Sequence, residues 1–214
     1  MNDTMGDLPA EEILKTLNSF IDRCRSISVP VAYRFRVQPS DLDPPPCKAP
    51  ETRTNRVPVC TASTGDSEFP PQLNEPLPVR PVVTKRGYDA FVDQDHHIVL
   101  QNRGLKTLIF TMVYTGVSVD SSLKRGFHLG CCVVLAENAT AASDPTRHPA
   151  ACKLVDAHYR SMMSTNEIVQ VWDSATERIG AFRSTTGESH NRPRTESARK
   201  KSHLIAASFK EVSL

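Results

Sequence analysis

The stretch from Thr107 to Gly130, "TLIFTMVYTGVSVDSSLKRGFHLG", changes its periodicity half-way. Residues 107–113 are apolar almost without interruption, as in a strand covered on both faces. Residues 118–130 space their apolar side chains as a helix does and stop at a glycine. Thr115, Gly116 and Val117 lie at the junction. A strand that turns sharply into a helix lifts the residue at the turn to the mouth of an open α/β sheet, with backbone N–H groups behind it. Ser118 occupies that place, which makes its hydroxyl a candidate nucleophile.

The segments on either side alternate in the same manner. "PVVTKRGYDAF" predicts a short strand ending at Lys85, "QDHHIVLQNRG" a helix stopped by Gly104, and "CCVVLAEN" a strand after Gly130. "DPTRHPAACKLVDAHYRSM" predicts a further helix with Pro145 near its start, and "EIVQVW" a last helix or strand. Toward the N-terminus, Ile13, Leu14, Leu17, Phe20, Ile21 and Cys24 share one helical face, with acids in the first turn and bases in the last; "VPVAYRFRV" then reads as a strand. The proline-rich segment 38–81 reads as a long irregular excursion. Strands that alternate with helices, and apolar runs in place of strict alternation, predict a parallel sheet with helices on both faces. Its body is expected at 29–37, 81–85, 107–113 and 131–136.

With 214 residues the chain suits one domain, placed at 10–172. Residues 173–214, rich in Ser, Thr, Arg and Lys, read as a basic, mostly disordered tail. The net charge is only +2 and much of the basic excess lies in that tail, so no nucleic-acid partner is expected. No apolar run approaches the length of a membrane span, and the first residues lack the pattern of a secretory leader; the expectation is a cytoplasmic protein without a membrane partner. The six cysteines show no C-x-x-C spacing and read as reduced, structural thiols.

The segments "VVTKRGYDAF", "RGLKTLIFTMVYTGVSVDSSLKRGFHLGCCVVLAENATAASDPTRH" and "STNEIV" resemble, in order and spacing, the isochorismatase-like cysteine hydrolases. "VCTASTGDSEFPPQL" is similar to the segment that precedes the family's lysine strand. The resemblance implies a three-layer α/β/α sandwich with a mostly parallel sheet, and an Asp, Lys and Cys triad acting on small molecules without metal or organic cofactor. It places the family's lysine on Lys85, a pocket aromatic on Phe91, and the cis peptide and oxyanion donors on Val113, Tyr114 and the N–H of residue 118. The nucleophilic cysteine falls on Ser118.

Two departures accompany these matches. The family's first strand, which ends in the triad's aspartate, has no counterpart before the first helix, and its absence is expected to leave a gap in the middle of the sheet with costly unpaired backbone groups. The thiol, with a pKa of about 8.5 in the free residue, is replaced by a hydroxyl that ionises far less readily. Ser118 could act if a neutral Lys85 took its proton, as in serine-lysine dyads. The other cysteines are not expected to substitute, since Cys131 and Cys132 begin a strand at the far end of the sheet. His96 and His97 read as a surface pair and not as metal ligands, and Asp120 as a first-turn acid beside the helix dipole.

Two functions therefore stand. One is a hydrolase of a small-molecule amide, ureido or vinyl-ether bond. The other is a catalytically inactive member serving as a binding or interaction module, either as a homo-oligomer or paired with an intact homologue.

Overall fold

The computed structural model describes residues 10–36, 69–77, 82–85, 87–92, 95–142, 144, 146–185 and 203–208. Helix α1 (Ala10–Ser26) carries Glu11 and Glu12 in its first turn and Arg23 and Arg25 in its last, so its charges oppose the helix dipole at both ends. The predicted apolar face is buried at Ile13, Leu17, Phe20, Ile21 and Cys24. The helix closes through a bond from the Val29 N–H to the Cys24 carbonyl at 2.8 Å. Strands β1 (Val31–Arg36) and β2 (Val82–Lys85) pair in parallel, from Tyr33 opposite Val82 to Arg36 opposite Lys85.

Helix α2 (His96–Asn102) ends before Gly104, whose φ of +64° is the left-handed conformation that favours glycine. Strand β3 (Thr107–Val113) then runs to a single π turn over Thr115–Val119, which leads straight into helix α3 (Asp120–His128). Strand β4 (Cys132–Ala141), helix α4 (Arg147–Tyr159), the short strand β5 (Met162–Met163) and helix α5 (Thr165–Thr185) follow. Asn138 fixes the start of α5 by bonding the Thr165 N–H and hydroxyl at 2.8 and 3.1 Å. "EIVQVW" is thus helical.

Among the described residues all strand pairings are parallel, in the order β2-β1-β6-β3-β4-β5, where β6 is His203–Ser208. The sequence-predicted strands appear within one or two residues of their expected starts. One expectation is corrected. The sheet has no gap at its middle: β6 lies there, pairing with β1 from Val31 opposite Ile205 to Arg34 opposite Ser208, and with β3 from Thr107 opposite His203 to Thr111 opposite Ala207. Helix α5 runs on past residue 172 to Thr185. The rest of the expected tail, like most of the 38–81 excursion, lies outside the described residues.

Successive residues of β3 serve the two layers in turn. Ile109 joins the cluster under α1 and α5, where Phe20 and Trp172 stack with ring centroids 5.7 Å apart. Leu108 and Phe110 join the other cluster, with Leu100 of α2, Leu123 of α3 and Val155 of α4. Helix α3 lies so close to the sheet that a Cβ on Gly126 would stand 2.9 Å from the Leu108 side chain, so a glycine is needed there for space. Among the described residues no helix is long and apolar enough to cross a membrane.

Candidate active site at the β3 to α3 turn

Parallel pairing puts the carboxyl ends of β2 and β3 on the same edge of the sheet. Lys85 ends β2 and is fully buried. Its Nζ donates to the Tyr88 carbonyl at 3.0 Å. Ser118 sits in the turn after β3, also fully buried, and its Oγ has no hydrogen-bond partner among the described residues. Between β3 and this turn the Val113-Tyr114 peptide is cis, as the resemblance implied, and Met112 before it has a φ of +78° where the pairing with β4 slips. Both Val113 and Tyr114 are buried.

Ser122 connects the two parts. One helical turn beyond Ser118, its hydroxyl donates to the Ser118 carbonyl at 2.8 Å and accepts the Ala90 N–H at 3.0 Å. The same oxygen lies 3.3 Å from the Tyr88 carbonyl that receives Lys85. Lys85 and Ser118 are therefore joined through the 88–90 segment and one serine. Nothing in the sequence pattern singles out Ser122 except its spacing of four from Ser118, one helical turn further along the chain. Phe91 is buried in the cluster that includes Leu100, Val119 and Leu123, and its N–H is held by Asp89 Oδ1 at 2.8 Å.

The front of the turn has a second polar contact that the sequence did not suggest. Thr115 Oγ1 and His148 Nδ1 are 2.8 Å apart, and Cys152, one turn along α4, places its Sγ 3.6 Å from His148 Nε2. Burial lowers the His148 pKa, with the Glu137 carboxylate opposing it. The Cys152 thiol is pushed up to about 11, mainly by burial and further by Glu137. A protonated thiol beside a neutral imidazole is a poor nucleophile. Cys24 is pushed up to about 12 by burial inside α1, and Cys132 begins β4 at the opposite end of the sheet from Ser118.

Asp120 Oδ2 pairs with Lys124 at 2.7 Å across one turn of α3. His97 lies in α2, and among the described residues no group of three or more His, Cys, Asp and Glu is placed to hold a metal ion.

Comparison with known proteins extends this geometry. A family model for the isochorismatase domain matches residues 5–167. Ureidoacrylate amidohydrolase from Pseudomonas savastanoi pv. phaseolicola is 38% identical over 71 residues, which are 33% of this chain and 29% of that enzyme. An isochorismatase family protein of Escherichia coli O157:H7 is 26% identical over 87 residues, 41% of this chain and 46% of its own length. The chain thus spans less than half the length of these curated relatives. Among solved structures, an isochorismatase-like hydrolase from Alkaliphilus metalliredigens superposes with a TM-score of 0.68 at 20% identity, covering 80% of this chain and 94% of the other. The nicotinamidase PncA of Bacillus subtilis gives 0.62 at 20%, covering 73% and 86%. At such identities the structural likeness shows the fold.

Proposed function

The chain belongs to the isochorismatase family, and on that premise we propose that it is a hydrolase of small molecules whose nucleophile is Ser118 and whose proton acceptor is Lys85. The observation that carries the reading is the Ser118 hydroxyl: fully buried, without a partner among the described residues, at the carboxyl edge of a parallel sheet. A buried polar group left unpaired costs roughly 1–3 kcal/mol. A ligand atom within reach of Oγ would recover part of that cost.

The substrate class is an amide, ureido or vinyl-ether bond, carried over from the relatives' chemistry. For an amide, Ser118 Oγ forms a bond to the carbonyl carbon while its proton passes to Lys85, which must be a neutral amine at that moment. The carbonyl π pair moves onto oxygen, which is met by N–H donors of the turn after the Val113-Tyr114 peptide. Collapse of the tetrahedral adduct expels the amine with a proton from Lys85, and water then hydrolyses the ester on Ser118. Ser122 holds the 88–90 segment against the turn and so sets the separation of Lys85 from Ser118.

One observation favours a second reading, a site that binds its ligand without turning it over. No described base touches Ser118 Oγ, and Lys85 Nζ is directed to the Tyr88 carbonyl. Purified protein assayed on ureidoacrylate, nicotinamide and isochorismate separates the two. Turnover lost in both Ser118→Ala and Lys85→Ala supports the hydrolase. Saturable binding of these compounds with no product above background would replace it with the binding module.

A further inference from the structure

The middle of the sheet is filled from the far end of the chain. Without β6, the strands fall into two ladders: β2 with β1, which carries Lys85, and β3 with β4 and β5, which leads to Ser118. Helix α1 packs on β1, β3 and β4, and so spans both ladders on one face. The described elements from α1 to α5 therefore supply a frame with a slot one strand wide, bordered on each side by a parallel edge. Strands stand about 4.8 Å apart, so such a slot admits a single extended chain.

Strand β6 has the character of a guest in that frame. Among the described elements its principal contacts are with β1 and β3. Its sequence HLIAAS has four consecutive apolar residues and no proline, between Arg199, Lys200 and Lys201 on one side and Lys210 and Glu211 on the other. The link from α5, residues 186–202, reaches on the order of 60 Å if fully extended, so β6 could leave and return without unwinding α5. Pairing on both sides supplies affinity through the main chain, which is the physics of strand addition to a sheet edge taken twice over.

We infer that the slot between β1 and β3 is a peptide-binding site for an extended, apolar, parallel strand, and that residues 203–208 are its resident and displaceable ligand. While the link is intact, tethering gives the strand an effective concentration of millimolar order, and free peptide cannot compete. Once the link is cut that advantage disappears. Because the strand joins the ladder bearing Lys85 to the ladder leading to Ser118, its occupancy sets the spacing of the candidate site, independently of whether that site performs hydrolysis.

The test uses the full chain with a specific protease sequence inserted after His190. The folded protein is cleaved, passed over a sizing column, and incubated with a fluorescent peptide of residues 199–214. The expected result is that the released fragment co-elutes with the domain, that excess labelled peptide replaces it, and that peptide carrying Ile205→Pro and Ala207→Pro is not taken up, because a proline in a central strand removes a ladder donor. Uncleaved protein should take up no label. Prompt loss of the fragment with an unchanged thermal midpoint would overturn the inference, since the domain would then not need the strand. A fragment that stays but cannot be replaced over days would overturn it too, by making β6 a fixed strand.

Discussion

Two hydroxyls in the same turn, three residues apart, are both buried and differ in one respect. Thr115 Oγ1 is paired with His148 at 2.8 Å, whereas Ser118 Oγ has no partner among the described residues. The pairing of Thr115 ties the front of the turn to α4, so that hydroxyl serves the fold. Ser118 is held by its backbone, through the bond from Ser122 to its carbonyl, and its side chain contributes nothing comparable. The contrast teaches that burial alone does not say what a hydroxyl does; two equally buried hydroxyls in one turn differ in whether a partner holds them. Location matters as well. Thr111 Oγ1 is equally buried and unpartnered, yet it lies within β3 and not at its carboxyl end.

The largest expected effect separates the two hydroxyls by activity. If the site hydrolyses its substrate, Ser118→Ala should lower kcat/KM by a factor on the order of 10³ or more, as loss of a nucleophile does. Thr115→Val should keep most of the activity per folded molecule. Equal losses in the two variants would erase the distinction.

Stability should reverse the order. Thr115→Val leaves the half-buried His148 ring without its hydroxyl, and denaturant unfolding should report a loss of roughly 1–3 kcal/mol. Ser118→Ala removes a buried polar atom that has no described partner, so its stability should be unchanged or slightly higher. A clear destabilisation by Ser118→Ala would mean that the serine has a structural partner after all.

Acid should act on the Thr115 side through His148. Burial holds the folded pKa of His148 below its ordinary value of 6.5, so the unfolded chain binds the proton more readily than the folded one. This contribution to stability is complete above pH 6.5 and is lost as pH falls from there through the depressed value. A His148→Gln variant should flatten the stability profile in that window. If wild-type stability does not fall below pH 6.5 relative to that variant, the His148 ring is not desolvated in the folded chain.

The smallest effect concerns Cys152. A thiol pushed up to about 11 holds far less thiolate near neutral pH than an ordinary cysteine does, and alkylation should be correspondingly slow. Mass spectrometry of briefly alkylated native protein should find Cys132, which is exposed, modified well before Cys152. Rapid labelling of Cys152 would revive it as a rival nucleophile behind Thr115.

Much of this molecule can be read from local pattern. The apolar face of α1, the continuous apolar run of β3 and the glycine stops at Gly104 and Gly130 each depend on residues a few places apart, so the sequence by itself determines them. The same holds for the parallel arrangement, which follows from strands alternating with helices, and for the positions of Lys85 and Ser118 at the ends of their strands. What links those two residues is not local. Ser122 bonds Ala90 across 32 positions, and His148 meets Thr115 across 33, contacts that exist only once β3, α3 and α4 are packed. Strand β6 is the extreme case. Six residues inside a charged, Ser-rich stretch carry too little periodic signal to be told from their surroundings. Tertiary structure alone decides their place, because two facing strand edges leave buried N–H and C=O groups that one more extended chain can satisfy on both sides.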